Sequence, residues 1–159
     1  MFIIRFFLLS IKEIIEINGM YTGLTMGTSM WPLLRQQRDN IIVVAPKGRL
    51  KKYDIALYIT DKGKYVMHRV IEVHDDHYVI MGDNLLVREY VTDDMICGVL
   101  AGFYRKGKRY IDCENGRLYK LYSHIWVGLI PVRPIVVHIH NALGRIKRKV
   151  LKKSNGRAK

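Results

Sequence analysis

The sequence predicts a mainly β domain: an antiparallel, partly closed β-fold with an N-terminal helix before it and an apolar, then basic, C-terminal segment after it. Three observations predict this. Between Tyr21 and Asp112, short runs rich in Ile, Val and Tyr recur between clusters of turn residues, the spacing of antiparallel strands. An amphipathic helical pattern is confined to the residues ahead of Asn18-Gly19. Past Asn115-Gly116 the composition changes again. The chain therefore divides into residues 1–19, 20–114 and 115–159.

The first nine residues, Met1 to Leu9, are apolar but interrupted by Arg5, and too short to cross a bilayer. Ser10-Ile11-Lys12-Glu13 follows directly, without the small-residue cleavage pattern of a secretory signal. One amphipathic helix over about residues 3–17, stopped by Asn18-Gly19, fits better and would lie on the domain or on a membrane surface. Strands are expected over Tyr21–Met26, Asn40–Ala45, Asp54–Thr60, Tyr65–Val73, Tyr78–Met81, Ile96–Tyr104 and Arg109–Asp112. Pro46-Lys47-Gly48 and Lys106-Gly107 supply turns, and Asp61–Gly63 and Asp75–His77 read as hairpin connections. Tyr65–Val73 is apolar on both parities, so both of its faces should be covered.

The net charge of +13 suggests nucleic-acid binding, but its distribution argues against it. Residues 1–114 hold 16 Lys and Arg against 14 Asp and Glu, a net of +2; residues 115–159 hold 11 Lys and Arg and no acid. The charge belongs to the C-terminal segment and nucleic acid is not the expected partner. Two cysteines make no disulfide framework, and Cys97, in an apolar run, reads as a buried structural thiol. No Cys-x-x-Cys pair occurs, and His74-x-x-His77 sits in an acidic turn. No metal and no cofactor is expected.

Three short strings carry chemistry: Gly27-Thr28-Ser29-Met30-Trp31-Pro32, Met67-His68-Arg69-Val70 and Gly82-Asp83-Asn84. Singly, they are an ordinary loop, a strand histidine and a good β-turn. Together, in this order within a strand-rich block, they offer a nucleophile, a base and an acid. A serine nucleophile needs a turn that exposes its Oγ, a base within hydrogen-bond reach and donors for an oxyanion. Gly27 permits an unusual backbone conformation, and Pro32 limits how the chain leaves the turn.

Ser29-Met30-x-Pro32, followed by Asp39-Asn40-Ile41-Ile42-Val43, Tyr53-Asp54-Ile55-Ala56-Leu57-Tyr58, His68-Arg69-Val70-Ile71 and Gly82-Asp83-Asn84, resembles the type I signal peptidase family. Its wider clan includes the LexA-like self-cleaving repressors. The resemblance covers about residues 20–105 and implies a serine endopeptidase that cuts an extended segment of a precursor protein beside small residues. Most bacterial members place a lysine where this chain has His68, so the resemblance is to the histidine-type members, understood to use Ser, His and Asp. A lysine base must be desolvated to lower its pKa, whereas a histidine titrates near neutrality unaided. Lys64, four residues away, is not expected to act.

The acid stays open between Asp83, in the Gly-Asp-Asn string, and Glu89, at the position where histidine-type relatives carry a second aspartate. Asp93 and Asp94 read as a charged turn. Many relatives carry Ser or Thr two positions before the nucleophile to bind the oxyanion, and here that residue is Gly27. The Ser29 N–H and the Thr28 hydroxyl remain as donors, and Met30 completes the substrate-side group. One lost oxyanion donor costs on the order of 2.7–4 kcal/mol, so a slow or narrow enzyme is expected.

Leu121 to His140 contains one charge, Arg133, and two breaking prolines, Pro131 and Pro134; Arg145 to Lys159 holds eight Lys and Arg. Three readings compete with a plain packing helix and solvated tail. Tyr122, Ile125, Trp126, Leu129 and Ile130 could enter an anionic membrane interface through residues 117–159; the stretch could form a poor span; or the tail could bind nucleic acid. The expected function is a membrane-associated signal or leader peptidase, at a prokaryotic cell membrane, with a soluble cytoplasmic enzyme as the alternative. A LexA-like autopeptidase fits less well, since no helix-turn-helix precedes the β block and the base is not lysine. A degenerate domain that holds a peptide without cutting it is the alternative outside enzymes.

Overall fold

A computed structural model describes residues 9–132 with 134 and 135. The basic tail, the first part of the expected N-terminal helix and the end of the Leu121–His140 stretch lie outside these residues. Helix α1 runs Ile11–Asn18. Ser10 is extended (φ −67°, ψ 158°) and closes a capping box: its Oγ accepts from the Glu13 N–H, and the Glu13 carboxylate accepts from the Ser10 N–H. Of the helix expected over about residues 3–17, the described part begins at Ile11, with Ser10 as its N-cap. Gly19 ends α1 in the left-handed region, its N–H bonded to the Ile15 carbonyl.

Eight strands follow: β1 (Met20–Leu24), β2 (Asn40–Val44), β3 (Ile55–Ile59), β4 (Tyr65–Val73), β5 (Tyr78–Met81), β6 (Glu89–Val91), β7 (Ile96–Arg105) and β8 (Arg109–Asp112). They form one antiparallel sheet in the order β1-β2-β7-β3-β4-β5-β6, with β8 on β7. The fold is mainly β, as expected, and the sheet is not closed: β1 and β6 end the order. All seven expected strands are present, three with the expected bounds and four differing by a residue or two at an end. Glu89–Val91 is the addition; three residues are too few to show an alternation.

Strand β3 makes the layering plain. Ile55 and Leu57 enter the cluster that holds Ile15 of α1, Val43 and Phe103; Ala56 and Tyr58 enter a second cluster with Val70, Tyr78 and Ile80. Successive strand residues face opposite sides of a sheet, so β3 is apolar throughout because both sides are covered. Four consecutive residues of β4, His68 to Ile71, are buried for the same reason. Cys97 and Cys113 are free and buried, and burial pushes the Cys113 thiol up to about 12.

Helix α2 (Arg117–Gly128) returns over the sheet, and its Val127 completes a third cluster with Ile71, Val79 and Met81. Its sequence lies across the start of the apolar stretch. Tyr122 and Trp126, expected at a membrane interface, are half-buried and hydrogen-bonded to Asp83. Ile125 and Leu129 are exposed. No helix among the described residues is long and apolar enough to cross a membrane.

Candidate active site

The alternation of β4 separates the two carboxylates that the sequence left open. His68 and Arg69 are neighbours and face opposite sides of the sheet. Register pairs Val70 with Ile80 and Ile80 with Glu89, which puts Glu89 on the His68 side. Glu89 Oε2 lies 2.5 Å from His68 Nδ1. The Tyr58 hydroxyl, 3.1 Å from the same ring nitrogen, donates to the same carboxylate oxygen at 2.5 Å. A carboxylate beside Nδ1 requires the proton there, leaving the Nε2 lone pair free to act as a base. His68 is 4% exposed, so the imidazole is screened from bulk water, while the Glu89 carboxylate is partly exposed.

Asp83 is on the other side. Arg69 Nε and Nη2 donate to its two oxygens at 2.8 and 2.7 Å, and both side chains are fully buried. The remaining Arg69 nitrogen, Nη1, donates to the Tyr53 carbonyl, the Tyr119 hydroxyl and Ser123 Oγ. Burial works against the Arg69 charge, and Asp83 beside it more than offsets that, so the guanidinium stays charged at any working pH. Of the two candidate acids, Glu89 is the one beside His68, and the Asp83 carboxylate accepts from Arg69 and Tyr122 instead.

The residues on either side of Asp83, Gly82 and Asn84, dock the turn that carries Ser29. The Asn84 N–H donates to the Ser29 carbonyl at 2.7 Å, and Asn84 Nδ2 donates to the Thr28 carbonyl at 3.3 Å. Gly82 is required by this docking, since a Cβ there would meet the Ser29 carbonyl oxygen at 2.9 Å. Gly82 follows Met81, whose register partner is Arg69, so the Ser29 loop docks beside the His68–Arg69 segment. Among the described residues no hydrogen bond joins Ser29 to His68; catalytic bonds of this kind are often loose before substrate binds.

The loop is rigid at its base. Thr25 Oγ1 donates to the Arg35 and Asp39 carbonyls, and the buried Asp39 carboxylate accepts from Arg38 and from the N–H groups of Arg35 and Lys106. The Trp31–Pro32 peptide is cis. Gly27 has φ +75°, the left-handed region that favours glycine; this backbone need accounts for the missing hydroxyl at position 27. The Ser29 N–H has no protein partner among the described residues, and Thr28 is exposed on the same turn, so both groups are available to donate a hydrogen bond. Met30 differs from the expectation. Its side chain is buried with Leu33 and Leu34 in the core, where packing, not substrate, surrounds it.

Sequence reasoning missed Tyr58, Asn84 and the α2 residues behind Arg69. Tyr58 was within reach: it and His68 flank the Asp61–Gly63 hairpin, and Ala56 pairs with His68, which puts Tyr58 on the same face. Asn84 enters the sequence reading only within the Gly82-Asp83-Asn84 string, with no role of its own. No group of His, Cys, Asp and Glu among the described residues could hold a metal. No family model and no curated protein matches the chain.

Proposed function

We propose that this chain is a membrane-associated serine endopeptidase of the signal peptidase I type, cleaving signal or leader segments from precursor proteins. The observation that carries the reading is the His68 Nδ1–Glu89 Oε2 contact of 2.5 Å beside a glycine-dependent turn that presents Ser29. Histidine with an orienting carboxylate is the arrangement that activates a serine, and the resemblance of Ser29-Met30-x-Pro32 and His68-Arg69-Val70 to the histidine-type members agrees with it.

In this reading Nε2 of His68 takes the Ser29 Oγ proton as Oγ attacks the scissile carbonyl. Glu89 steadies the imidazolium, and the Ser29 N–H with the Thr28 hydroxyl receives the negative oxygen. His68 returns its proton to the departing amine, leaving an acyl-serine. Water, deprotonated by His68, then releases the acyl group. The edge of β1, which leads into the Ser29 turn and pairs with no further strand among the described residues, offers backbone groups to an extended peptide.

A fluorophosphonate probe tests the reading. Ser29 should be labelled, and both Ser29→Ala and His68→Ala should abolish labelling and the cutting of exported precursors while the chain stays folded. Full activity in either variant overturns it. The unjoined Ser29 and His68 favour one second reading, a domain that binds a peptide without cutting it; that reading predicts peptide binding with no labelling of the parent chain.

A further inference from the structure

We infer that the outward face of α2, together with the lysine-rich loop at residues 47–52, is the surface on which this chain docks to an anionic lipid bilayer. The inference rests on the membrane part of the proposed function and not on its chemistry.

Helix α2 is oriented with its hydrogen-bonding groups inward. Tyr119 and Ser123 are buried against Arg69, and Tyr122 and Trp126 reach Asp83. The outward side carries Leu118, Leu121, Ile125 and Leu129, continued by Val132 and Ile135, each between 38% and 75% exposed. Leu118, Leu121 and Ile125 stand on α2 at steps of three and four residues and so share one stripe, with Leu129 at the helix C-cap. With Val132 and Ile135 exposed just beyond, this is not an ordinary scatter of surface apolar residues.

Charge lies along one side of the stripe. Lys120 and His124, one position before Leu121 and Ile125, line a cleft of about 450 Å³ whose opposite wall includes Lys47, Lys51 and Lys52. Lys51, Lys52 and Lys120 have no ion-pair partner among the described residues, and the lining as a whole carries five cationic side chains against the carboxylates of Asp54 and Glu114. In sequence, residues 115–159 add eleven cations and no acid.

This pairing selects the occupant. A second copy would bury the stripe but would bring a chain of net charge +13 against its own like charges. A nucleic acid would match the charge but offers no apolar surface for six aliphatic side chains. An anionic bilayer takes both, with the stripe at the acyl boundary and headgroup phosphates against the lysines. The same helix then holds the membrane on one side and the Arg69–Asp83 pair on the other.

Flotation of the full chain with vesicles tests this, using phosphatidylcholine alone and an equal mixture with phosphatidylglycerol. The parent chain and Ser29→Ala should float equally with the anionic vesicles. Leu121→Glu/Ile125→Glu, at two exposed positions, should lower the bound fraction by roughly tenfold or more, with circular dichroism unchanged. Lys51→Glu/Lys52→Glu should lower the preference for anionic vesicles by roughly fivefold or more. If the parent floats and Leu121→Glu/Ile125→Glu floats equally, this surface is wrong while the membrane reading survives. If the parent does not float, both fail. A dimer in sedimentation that the apolar variant dissolves, without flotation, assigns the stripe to a second copy and overturns the inference.

Discussion

His68 and Arg69 are consecutive residues of β4 that serve opposite sides of the sheet, the first bonded to Glu89 and the second to Asp83. One strand thus sets up a candidate catalytic pair and a structural ion pair without either disturbing the other. The two carboxylates consequently predict different phenotypes.

Asp83→Ala should be a stability variant. It leaves the Arg69 charge buried without its partner, a change that costs about 3–5 kcal/mol, and urea unfolding should register it. Glu89→Gln should be an activity variant. Glu89 is partly exposed at the edge of the sheet, so the urea midpoint should stay near that of the parent. Probe labelling of Ser29 should fall by up to roughly 10⁴-fold, the scale for losing the orienting acid of a triad. The opposite assignment of the two phenotypes would return Asp83 to the triad.

Tyr58→Phe tests the hydroxyl that donates to Glu89. Burial, and then the neighbouring Glu89, hold the Tyr58 pKa above its ordinary value, so the group stays a donor throughout the working range. Without it the carboxylate loses the donor that holds its Oε2 beside Nδ1. Labelling of Ser29 should then fall, but less than in Glu89→Gln, with the urea midpoint changed by no more than a lost hydrogen bond, about 1 kcal/mol. Unchanged labelling would leave Tyr58 a packing residue only.

Gly82→Ala should act on the nucleophile from a distance. The new Cβ would meet the Ser29 carbonyl at 2.9 Å and push the turn away from Asn84. A displacement near 1 Å can cost about 10²-fold in rate, so labelling should fall on that scale although no catalytic atom has changed. Rates for parent and variant under one probe concentration measure it.

Asp39 predicts an acid-sensitive loop. Burial raises its pKa, but the Arg38 guanidinium and the N–H groups of Arg35 and Lys106 outweigh it, and the carboxyl ends below its ordinary value. A lowered folded-state pKa contributes stability above the unfolded value, and that stability is lost as pH falls through the folded one. Asp39→Asn should therefore cost about 1–3 kcal/mol near neutrality. The gap to the parent should close below the ordinary carboxylate range, as urea midpoints across pH would record.

Much of the fold is legible along the chain because β-strands advertise themselves by local pattern. Tyr65–Val73 and Tyr78–Met81 are bounded by turn residues and rich in β-branched side chains, and both occupy the expected residues. Strand β6 is too short to have a period. Helix α2 is masked for another reason: its buried face carries Tyr119, Tyr122, Ser123 and Trp126, whose polar tips meet Arg69 and Asp83, so apolarity along it marks the exposed side instead.

By itself the sequence determined the mainly β architecture, the glycine-flanked turn at Ser29 and the strand that carries His68, all features of local spacing and backbone freedom. The tertiary structure decided which acid stands beside that histidine and that Asp83 pairs with Arg69 on the other side of the sheet. It also decided that Met30 packs in the core and that α2 faces outward with its leucines. Each of these depends on which face of a sheet or helix meets which neighbour. That is fixed by register between strands distant in sequence, and no single segment encodes it.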